Sequence, residues 1–176
     1  MWRDTGPELL LRWSMAETPP TVTIRPAREG DRAAVLFAVT RLAEFGPPPW
    51  RTAAELVAGE TRAVQGYFAA PPPGTTVLVA AAKGGEPLGF VFLERAHDYF
   101  TEEEHGHVGI IAVAAHAQGR GVAGALMRAS ERWARDAGYH KLTLTVFEGN
   151  RRARAIYEHL GYRPETLRYV KLLEGA

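Results

Sequence analysis

Cysteine is absent from the 176 residues of this sequence. Its absence excludes disulfides, thiolate metal ligands and a cysteine nucleophile, so any catalysis must use oxygen or nitrogen side chains. It is also compatible with a reducing compartment, and we expect a cytoplasmic protein that binds no metal. The sequence also has no excess of charge of one sign, because it contains 21 basic and 20 acidic residues. The net charge of +1 does not provide the positive field of a protein held to nucleic acid by phosphate contacts, so we expect no nucleic-acid partner.

Long apolar runs are missing near the N-terminus. The short run at residues 9–11 has charged neighbours, among them Glu8 and Arg12. It therefore predicts neither the core of a signal peptide nor a membrane-spanning helix, and we expect no membrane partner. A polar stretch with two prolines precedes the first strand-like run. We interpret residues 1–20 as an N-terminal extension, of which residues 1–14 matter least, and residues 21–176 as one domain.

Apolar periodicity predicts a mixed domain of helices and strands. Helices are predicted from Asp31 to about residue 42 and at residues 52–68, 119–137 and 150–160. Strands are predicted at residues 22–25, 76–82, 88–95, 107–114 and 141–147, followed by a final pair at residues 162–163 and 167–172. The glycine and proline cluster at residues 83–87 predicts a hairpin turn between two of these strands.

The most informative segment has two interpretations. It is the run Gln118, Gly119, Arg120, Gly121, Val122, Ala123, Gly124. Counted from Gly119 it fits GxGxxG, the dinucleotide fingerprint. Counted from Gln118 it resembles QxxGxA, the pyrophosphate loop of acyl-CoA-dependent acetyltransferases. Both interpretations use the same physics, because small residues free backbone amides to face an anion and the next helix adds its positive dipole end.

The flanks of this segment favour the second interpretation. A dinucleotide fold requires its first glycine directly after a strand, but residues 114–117 intervene. Glu148 does provide an acidic residue at the end of the next strand. However, only 28 residues follow Glu148, which is too few to complete a doubly wound sheet. A nucleotide-dependent oxidoreductase therefore stays the lesser alternative.

The order of elements around QGRGVA carries a family resemblance. A strand, a short loop, this motif, a long helix, a strand and an Asn-capped helix that ends in IYEHLGY together resemble the GCN5-related N-acetyltransferase (GNAT) superfamily. The resemblance covers residues 22–173, and its specific part is residues 108–162. It implies an α/β (α+β) fold, with a mixed, largely antiparallel sheet flanked by helices and splayed at the acyl-CoA site. It also implies acetyl-CoA as cosubstrate and transfer of the acetyl group directly to a primary amine. The resemblance is compatible with a homodimer.

The resemblance assigns roles to residues of this sequence. Residues 118–124 would hold the pyrophosphate, and the backbones of Ile111, Ala112 and Val113 would pair with the pantetheine arm. The Val113 amide would polarise the thioester carbonyl, and Asn150 would lie on the helix that faces the thioester. Tyr157 would protonate the leaving thiolate. Alternatively, Tyr157 only completes the apolar stripe of its helix.

The base is harder to predict, because Gly109 and Ile110 occupy the strand positions where relatives often carry a carboxylate. His107 is the main candidate, since an imidazole can take an ammonium proton near neutral pH. The alternatives are a surface histidine without a catalytic role, a chain of water molecules, and a catalytically silent module that binds acyl-CoA. The lesser candidates for the base are Glu94, His97, His105 and His116.

The acceptor is expected to be a small-molecule or peptide amine. By resemblance, residues 45–51 and 96–105 would surround it. Negative charge there would favour a cationic amine, and aromatic side chains could stack on its apolar part. The alternative is a solvated hairpin turn without a role in binding. The residues concerned are Trp50, Asp98, Tyr99, Phe100, Glu102, Glu103 and Glu104.

Overall fold

The computed structural model describes residues 22–173. The expected N-terminal extension therefore lies outside the described residues. Within this range the strands are β1 (Thr23–Pro26), β2 (Thr75–Ala81), β3 (Pro87–His97), β4 (Glu104–Val113) and β5 (Leu142–Leu144). The α-helices in the same range are α1 (Arg32–Val39), α2 (Ala53–Ala69), α3 (Val122–Asp136) and α4 (Arg151–His159). None of these helices is long and apolar enough to cross a bilayer.

The strands form one sheet in the order β1-β2-β3-β4-β5. Strands β1 to β4 pair antiparallel with their neighbours, whereas β4 and β5 are parallel, from Gly106 opposite Leu142 to Val108 opposite Leu144. A parallel pair needs a crossover connection, and α3 provides it. The predicted mixed, largely antiparallel sheet flanked by helices is confirmed.

The two faces of the sheet bury different side chains. Side chains alternate along a strand, so Phe90 and Phe92 of β3 lie on the first face while Val91 and Leu93 lie on the second. Helices α1 and α2 cover the first face, and α3 covers the second. The fully buried side chains of these two cores include Val35, Val39, Val64, Val77, Val79, Phe90, Val91, Leu93, Val122, Leu126 and Met127.

A β-bulge interrupts β4 at Gly109. Ile110 is paired with Phe92 and Val108 with Leu93, so Gly109 is an extra residue without an opposite partner on β3. The parallel pairing with β5 also stops at Val108. The edge of β4 from Gly109 to Val113 is thus unpaired on the β5 side in the described part of the chain, and the sheet is splayed there. The strand predicted at residues 141–147 is therefore only three residues long.

The start of α3 differs from the prediction. We expected the helix to begin at Gly119, but it begins at Val122, because Gly119 and Gly121 have φ angles of 76° and 75°. Positive φ is incompatible with a right-handed helix and is favourable only for glycine. The two glycines are therefore part of a loop that ends at the N-terminus of α3.

The predicted final strand pair is wrong. Residues 162–173 contain no strand, and every side chain from Arg163 to Leu173 is exposed. Pro164 removes one backbone donor from this segment. The segment has no neighbouring strand to pair with and buries no apolar side chains. Its alternating apolar residues are therefore not enough to stabilise a strand.

Asp31 and Arg25 join the end of β1 to the start of α1, and removing the carboxylate should destabilise the fold. Two guanidinium nitrogens of Arg25 donate to the Asp31 carboxylate at 2.6 and 2.9 Å, and the Arg28 N–H donates at 2.8 Å. The bond from Arg25 lowers the pKa of Asp31. The carboxylate therefore stabilises the fold above the ordinary aspartate pKa, and this contribution is lost as pH falls through the lowered one.

We expect Asp31→Asn to lower the free energy of unfolding in urea by about 2 kcal/mol at neutral pH, less than for a fully buried pair because Arg25 keeps some access to water. The difference from wild type should shrink under acid conditions. Glu29→Gln is the matched control, because its pair with Arg32 at 3.3 Å is exposed and should contribute less than about 0.5 kcal/mol. Equal losses in the two variants would contradict the prediction.

Candidate active site

The loop between β4 and α3 faces open space. A turn of 3-10 helix at Ala115–Ala117 leads into Gln118, whose backbone is extended, and then into the two glycines of positive φ. A Cβ added at Gly119 or Gly121 would meet no atom within 4 Å. Arg152 of α4 donates to the Gln118 side-chain oxygen at 2.9 Å. The loop is thus fixed to α4 at one end and accessible along its length.

The backbone N–H groups of residues 119–124 form a row of free donors. The first bond of α3 runs from the Ala125 N–H to the Gly121 carbonyl at 3.0 Å, and no acceptor among residues 22–173 is bonded to the six N–H groups before it. These donors lie at the positive end of a helix of 15 residues. Such an arrangement binds a phosphate or another anion.

The sheet around this loop does not fit a dinucleotide fold. That fold needs a parallel sheet on both sides of the glycine-bearing strand. Here β4 is parallel to β5 but antiparallel to β3. The match of GRGVAG to GxGxxG is therefore coincidental, and the oxidoreductase alternative loses its structural basis.

The unpaired edge of β4 carries free backbone groups beside the loop. The Ala114 N–H donates to the Leu88 carbonyl on β3 at 2.8 Å. In an antiparallel ladder the backbone N–H and C=O groups of successive residues point alternately to the two sides of the strand. The backbone groups of Ala112 therefore point toward β3, as the Ala114 N–H does. The N–H and C=O groups of Ile111 and Val113 point to the open side. An extended ligand that lies along this edge can bond to Ile111 and Val113 as a strand would.

Asn150 and Tyr157 lie on α4. The Asn150 side-chain oxygen caps the helix by accepting the Ala153 N–H at 3.2 Å, which leaves its amide NH₂ available. Tyr157 packs against the second core, with its ring centroid 6.2 Å from that of Tyr162. Its hydroxyl has no hydrogen-bond partner within the described residues, and burial raises its pKa. The phenol therefore stays protonated near neutral pH, and its proton is free to be donated.

His107 and His105 share one hydroxyl. The Thr143 Oγ1 lies 2.8 Å from His107 Nδ1 and 3.2 Å from His105 Nε2. Burial lowers the pKa of His107, against the opposing charge of Glu94, so the ring is largely neutral near pH 7. His105 Nδ1 is buried and has no partner among the described residues. The structure thus fixes His107 in place through Thr143 and sets it opposite Glu94 on β3.

A cavity of about 360 Å³ lies between α2 and the first face of the sheet. Two carboxylates, one guanidinium and several apolar side chains converge there, next to the bulge of β4. Its lining residues are Glu60, Arg62, Ala63, Gly66, Tyr67, Pro72, Thr75, Phe92, Glu94, Gly109 and Ile110. Of these, only Glu94, Gly109 and Ile110 could be connected with the site from the sequence.

The hairpin between β3 and β4 uses its acidic residues for its own structure. The Asp98 carboxylate accepts the N–H groups of Phe100 and Thr101 at 2.8 and 3.1 Å and forms an ion pair with Lys141, which lowers its pKa to about 2. Glu104 pairs with Arg95 at 3.1 Å. None of the hairpin residues expected around the acceptor lines the cavity, and Tyr99 and Phe100 are 90% and 84% exposed.

The remaining histidines proposed as lesser candidates do not line the cavity either. His97, the last residue of β3, lies 3.6 Å from Glu104. His116, within the 3-10 turn that precedes the loop, lies 3.5 Å from Glu86. Both side chains are more than half exposed. Neither position brings an imidazole to the unpaired edge of β4.

Comparison with known proteins identifies this arrangement of strand, loop and helix. The model of the acetyltransferase (GNAT) family matches residues 39–162. Among curated proteins, the uncharacterized N-acetyltransferase YhfO of Bacillus subtilis is 28% identical over 145 residues, which cover 82% of this chain and 92% of that protein. An aminoglycoside N(6')-acetyltransferase type 1 of Stenotrophomonas maltophilia is 35% identical over 97 residues, or 53% of this chain and 63% of that enzyme.

Solved structures share the fold. A Pyrococcus furiosus protein described as an acetyl transferase has a TM-score of 0.71 at 22% identity, covering 86% of this chain and 99% of that one. A ribosomal-protein-alanine N-acetyltransferase from Brucella melitensis has a TM-score of 0.63 at 20% identity, covering 86% of this chain and 100% of that one. At such identities the likeness concerns the fold and not the substrate.

Proposed function

Because this chain belongs to the acetyltransferase (GNAT) family, we propose that it transfers an acetyl group from acetyl-CoA directly to a primary amine. The observation that carries the proposal is the row of free N–H groups at residues 119–124 beside the unpaired edge of β4. The first feature suits the phosphates of the cosubstrate, and the second suits its amide-bearing pantetheine arm. A covalent cysteine intermediate is excluded because the sequence has no cysteine.

Acetyl-CoA would lie along the loop and then along β4. The N–H groups of residues 119–124 would bond to the pyrophosphate oxygens, with the dipole of α3 adding favourable charge. Gln118 holds the loop through Arg152, and Arg120 provides an exposed cation beside it. The pantetheine amides would pair with the free backbone groups of Ile111 and Val113.

The thioester would react at the end of the β4 edge away from the loop. The resemblance implies Val113 as the carbonyl donor, but Val113 lies at the loop end of this edge. The free N–H of Ile111, two residues closer to the bulge, is therefore the better placed donor. The Asn150 amide would help to hold the cosubstrate from α4. Tyr157 would protonate the departing thiolate, since burial keeps its phenol protonated and its hydroxyl has no other partner in the described range.

The amine must arrive neutral at the carbonyl carbon. His107 stays the candidate base from the sequence, and its place opposite Glu94 connects it to the cavity beside the bulge. Apolar walls and two carboxylates in that cavity suit an amine that is cationic in water. Small molecules and peptide N-termini or lysines both present such a group.

Titration and turnover together test the proposal. We expect isothermal titration to show binding of acetyl-CoA and CoA but not of NADH. We also expect free thiol to be released when wild-type protein, acetyl-CoA and a reactive member of an amine panel are mixed. The panel should contain monoamines, polyamines, aminoglycosides, amino acids and peptides. Binding without thiol release for any amine would indicate a silent acyl-CoA module, and binding of NADH in place of CoA would contradict the proposal entirely.

A further inference from the structure

We propose that Glu94 takes the proton from the ammonium group of the acceptor, inside the cavity between α2 and the sheet. This inference rests on the acetyl transfer proposed above and names the residue and the kind of acceptor that it would use. The acceptor is a cationic primary amine on a short, partly apolar body. Glu94 comes from β3, not from the strand that carries the unpaired edge.

The cavity lies where the reacting end of the cosubstrate should be. Gly109 and Ile110 line it, and they are the first residues of β4 beyond its pairing with β5. The loop with the free N–H groups follows Val113, at the other end of the unpaired edge. These two ends are roughly 13 Å apart along the strand. A cosubstrate with its phosphates at the loop therefore extends its thioester toward the cavity.

Gly109 leaves room for the carboxylate of Glu94. A Cβ added at Gly109 would lie 3.3 Å from Glu94 Oε1 and 3.8 Å from its Cδ. The carboxylate thus occupies the space beside the bulge that a side chain at position 109 would need. The chain lacks a carboxylate on β4 at this point, and the neighbouring strand provides one in nearly the same place.

The charge of the cavity suits a cation. No ion pair within residues 22–173 involves Glu60 or Glu94, although Arg62 also lines the cavity. Burial, and after it the charge of Glu94, raises the pKa of Glu60. An ammonium group between the two carboxylates would relieve this repulsion. Tyr67 and Phe92, with ring centroids 5.9 Å apart, provide an apolar wall for the rest of the acceptor.

His107 is less well placed to contact the acceptor. It does not line the cavity, and its Nδ1 is 2.8 Å from the Thr143 hydroxyl. Glu94 is its direct partner across the ladder and, unlike His107, lines the cavity. The acceptor therefore meets the carboxylate first.

The proton balance is complete with groups of this chain and solvent. Glu94 takes one proton from the ammonium and releases it to water at the cavity mouth. The neutral nitrogen attacks the acetyl carbon, so that a C–N bond forms and the C–S bond breaks. The thiolate takes the proton of the Tyr157 hydroxyl. The nitrogen loses its second proton after the attack, and this proton returns the Tyr157 phenolate to the phenol. The net products are the amide, free CoA and one proton, with no change in oxidation state.

Glu94→Gln should lower kcat by roughly 100-fold, the lower end for a positioned base, while acetyl-CoA affinity measured by titration is unchanged. The best acceptor of the wild-type amine panel should be compared with an analogue that carries three β-fluorine atoms, whose nitrogen is largely unprotonated at neutral pH. We expect the variant to lose far less rate with the analogue.

Glu60→Gln should instead raise the KM of the cationic acceptor and leave kcat nearly unchanged. Glu29→Gln, an exposed change outside the cavity, is the control that should behave as wild type.

Three outcomes would overturn the inference. Wild-type turnover by Glu94→Gln would show that the carboxylate takes no proton. An equal loss with both acceptors would show that Glu94 only binds or shapes the site. A wild-type protein that transfers acetyl to no amine would overturn the proposed function together with this inference, so the two failures can be told apart.

Discussion

Gly121→Glu should abolish binding of CoA and acetyl-CoA. The new side chain would project from the loop into the space in front of the free N–H groups, where no protein atom lies within 4 Å of its Cβ. Its carboxylate would compete for the N–H groups and repel the pyrophosphate. Loss of two charge-assisted hydrogen bonds alone removes about 3 to 6 kcal/mol, which is roughly 100-fold to 10,000-fold in the dissociation constant. Isothermal titration at protein concentrations suited to the wild type should show no heat of binding.

Gly138→Glu is the matched control for this variant. Gly138 follows the other end of α3, has a φ of 81° and also has no atom within 4 Å of an added Cβ. Both variants therefore bear the same left-handed strain, about 1 to 2 kcal/mol, and the same added charge. Only Gly121 lies in the loop. Unchanged CoA affinity in Gly121→Glu, or an equal loss in Gly138→Glu, would contradict the assignment of the loop.

The loop could be predicted from the sequence because its geometry is local. Two glycines at a spacing of two, followed by an amphipathic helix, specify positive φ and a row of free donors almost independently of the rest of the chain. The predicted helix started three residues too early for the same reason, since periodicity does not show which glycines adopt positive φ. The family resemblance added the ligand, which the geometry of an anion site alone does not identify.

The end of the sheet could not be predicted, because strand pairing is a property of two segments. The apolar residues at 167–173 have the composition of a strand, but a strand also needs a free partner edge. The bulge at Gly109 ends the pairing of β5 after Leu144, and that event depends on β3. The role of Asp98 escaped prediction in the same way, since its partner Lys141 is 43 residues away in sequence.

The apolar periodicity of the sequence contains an indication of the cavity. Glu60, Val64 and Tyr67 fall at i, i+4 and i+7 of α2, so a glutamate lies in the stripe that packs on the sheet. Glu94 follows Phe92 at the spacing of one face of β3. A carboxylate at an inward position of each element is unusual, because burying a charge without a partner is unfavourable. Only the packing of α2 on the sheet, however, brings the two together.

Tyr157→Phe should lower the rate of acetyl transfer by roughly 100-fold to 10,000-fold, the range for a positioned general acid. The change removes one oxygen and leaves the ring in its place against the second core. Because the hydroxyl has no hydrogen-bond partner within residues 22–173, its removal leaves no protein group unpaired. Affinity for acetyl-CoA and the free energy of unfolding should therefore stay near the wild-type values, while kcat falls.

Tyr162→Phe separates proton donation from packing. Tyr162 is the aromatic neighbour of Tyr157, and its hydroxyl is bonded to Glu131 at 3.4 Å on the side of α3. Loss of that long, part-buried bond should leave kcat unchanged, although the same atom is removed from a ring in the same cluster. A thioester with a more acidic leaving thiol needs less help from an acid, so Tyr157→Phe should lose less rate with such a donor than with acetyl-CoA. If Tyr157→Phe instead turned over acetyl-CoA at the wild-type rate, Tyr157 would be a packing residue and the thiolate would take its proton from water.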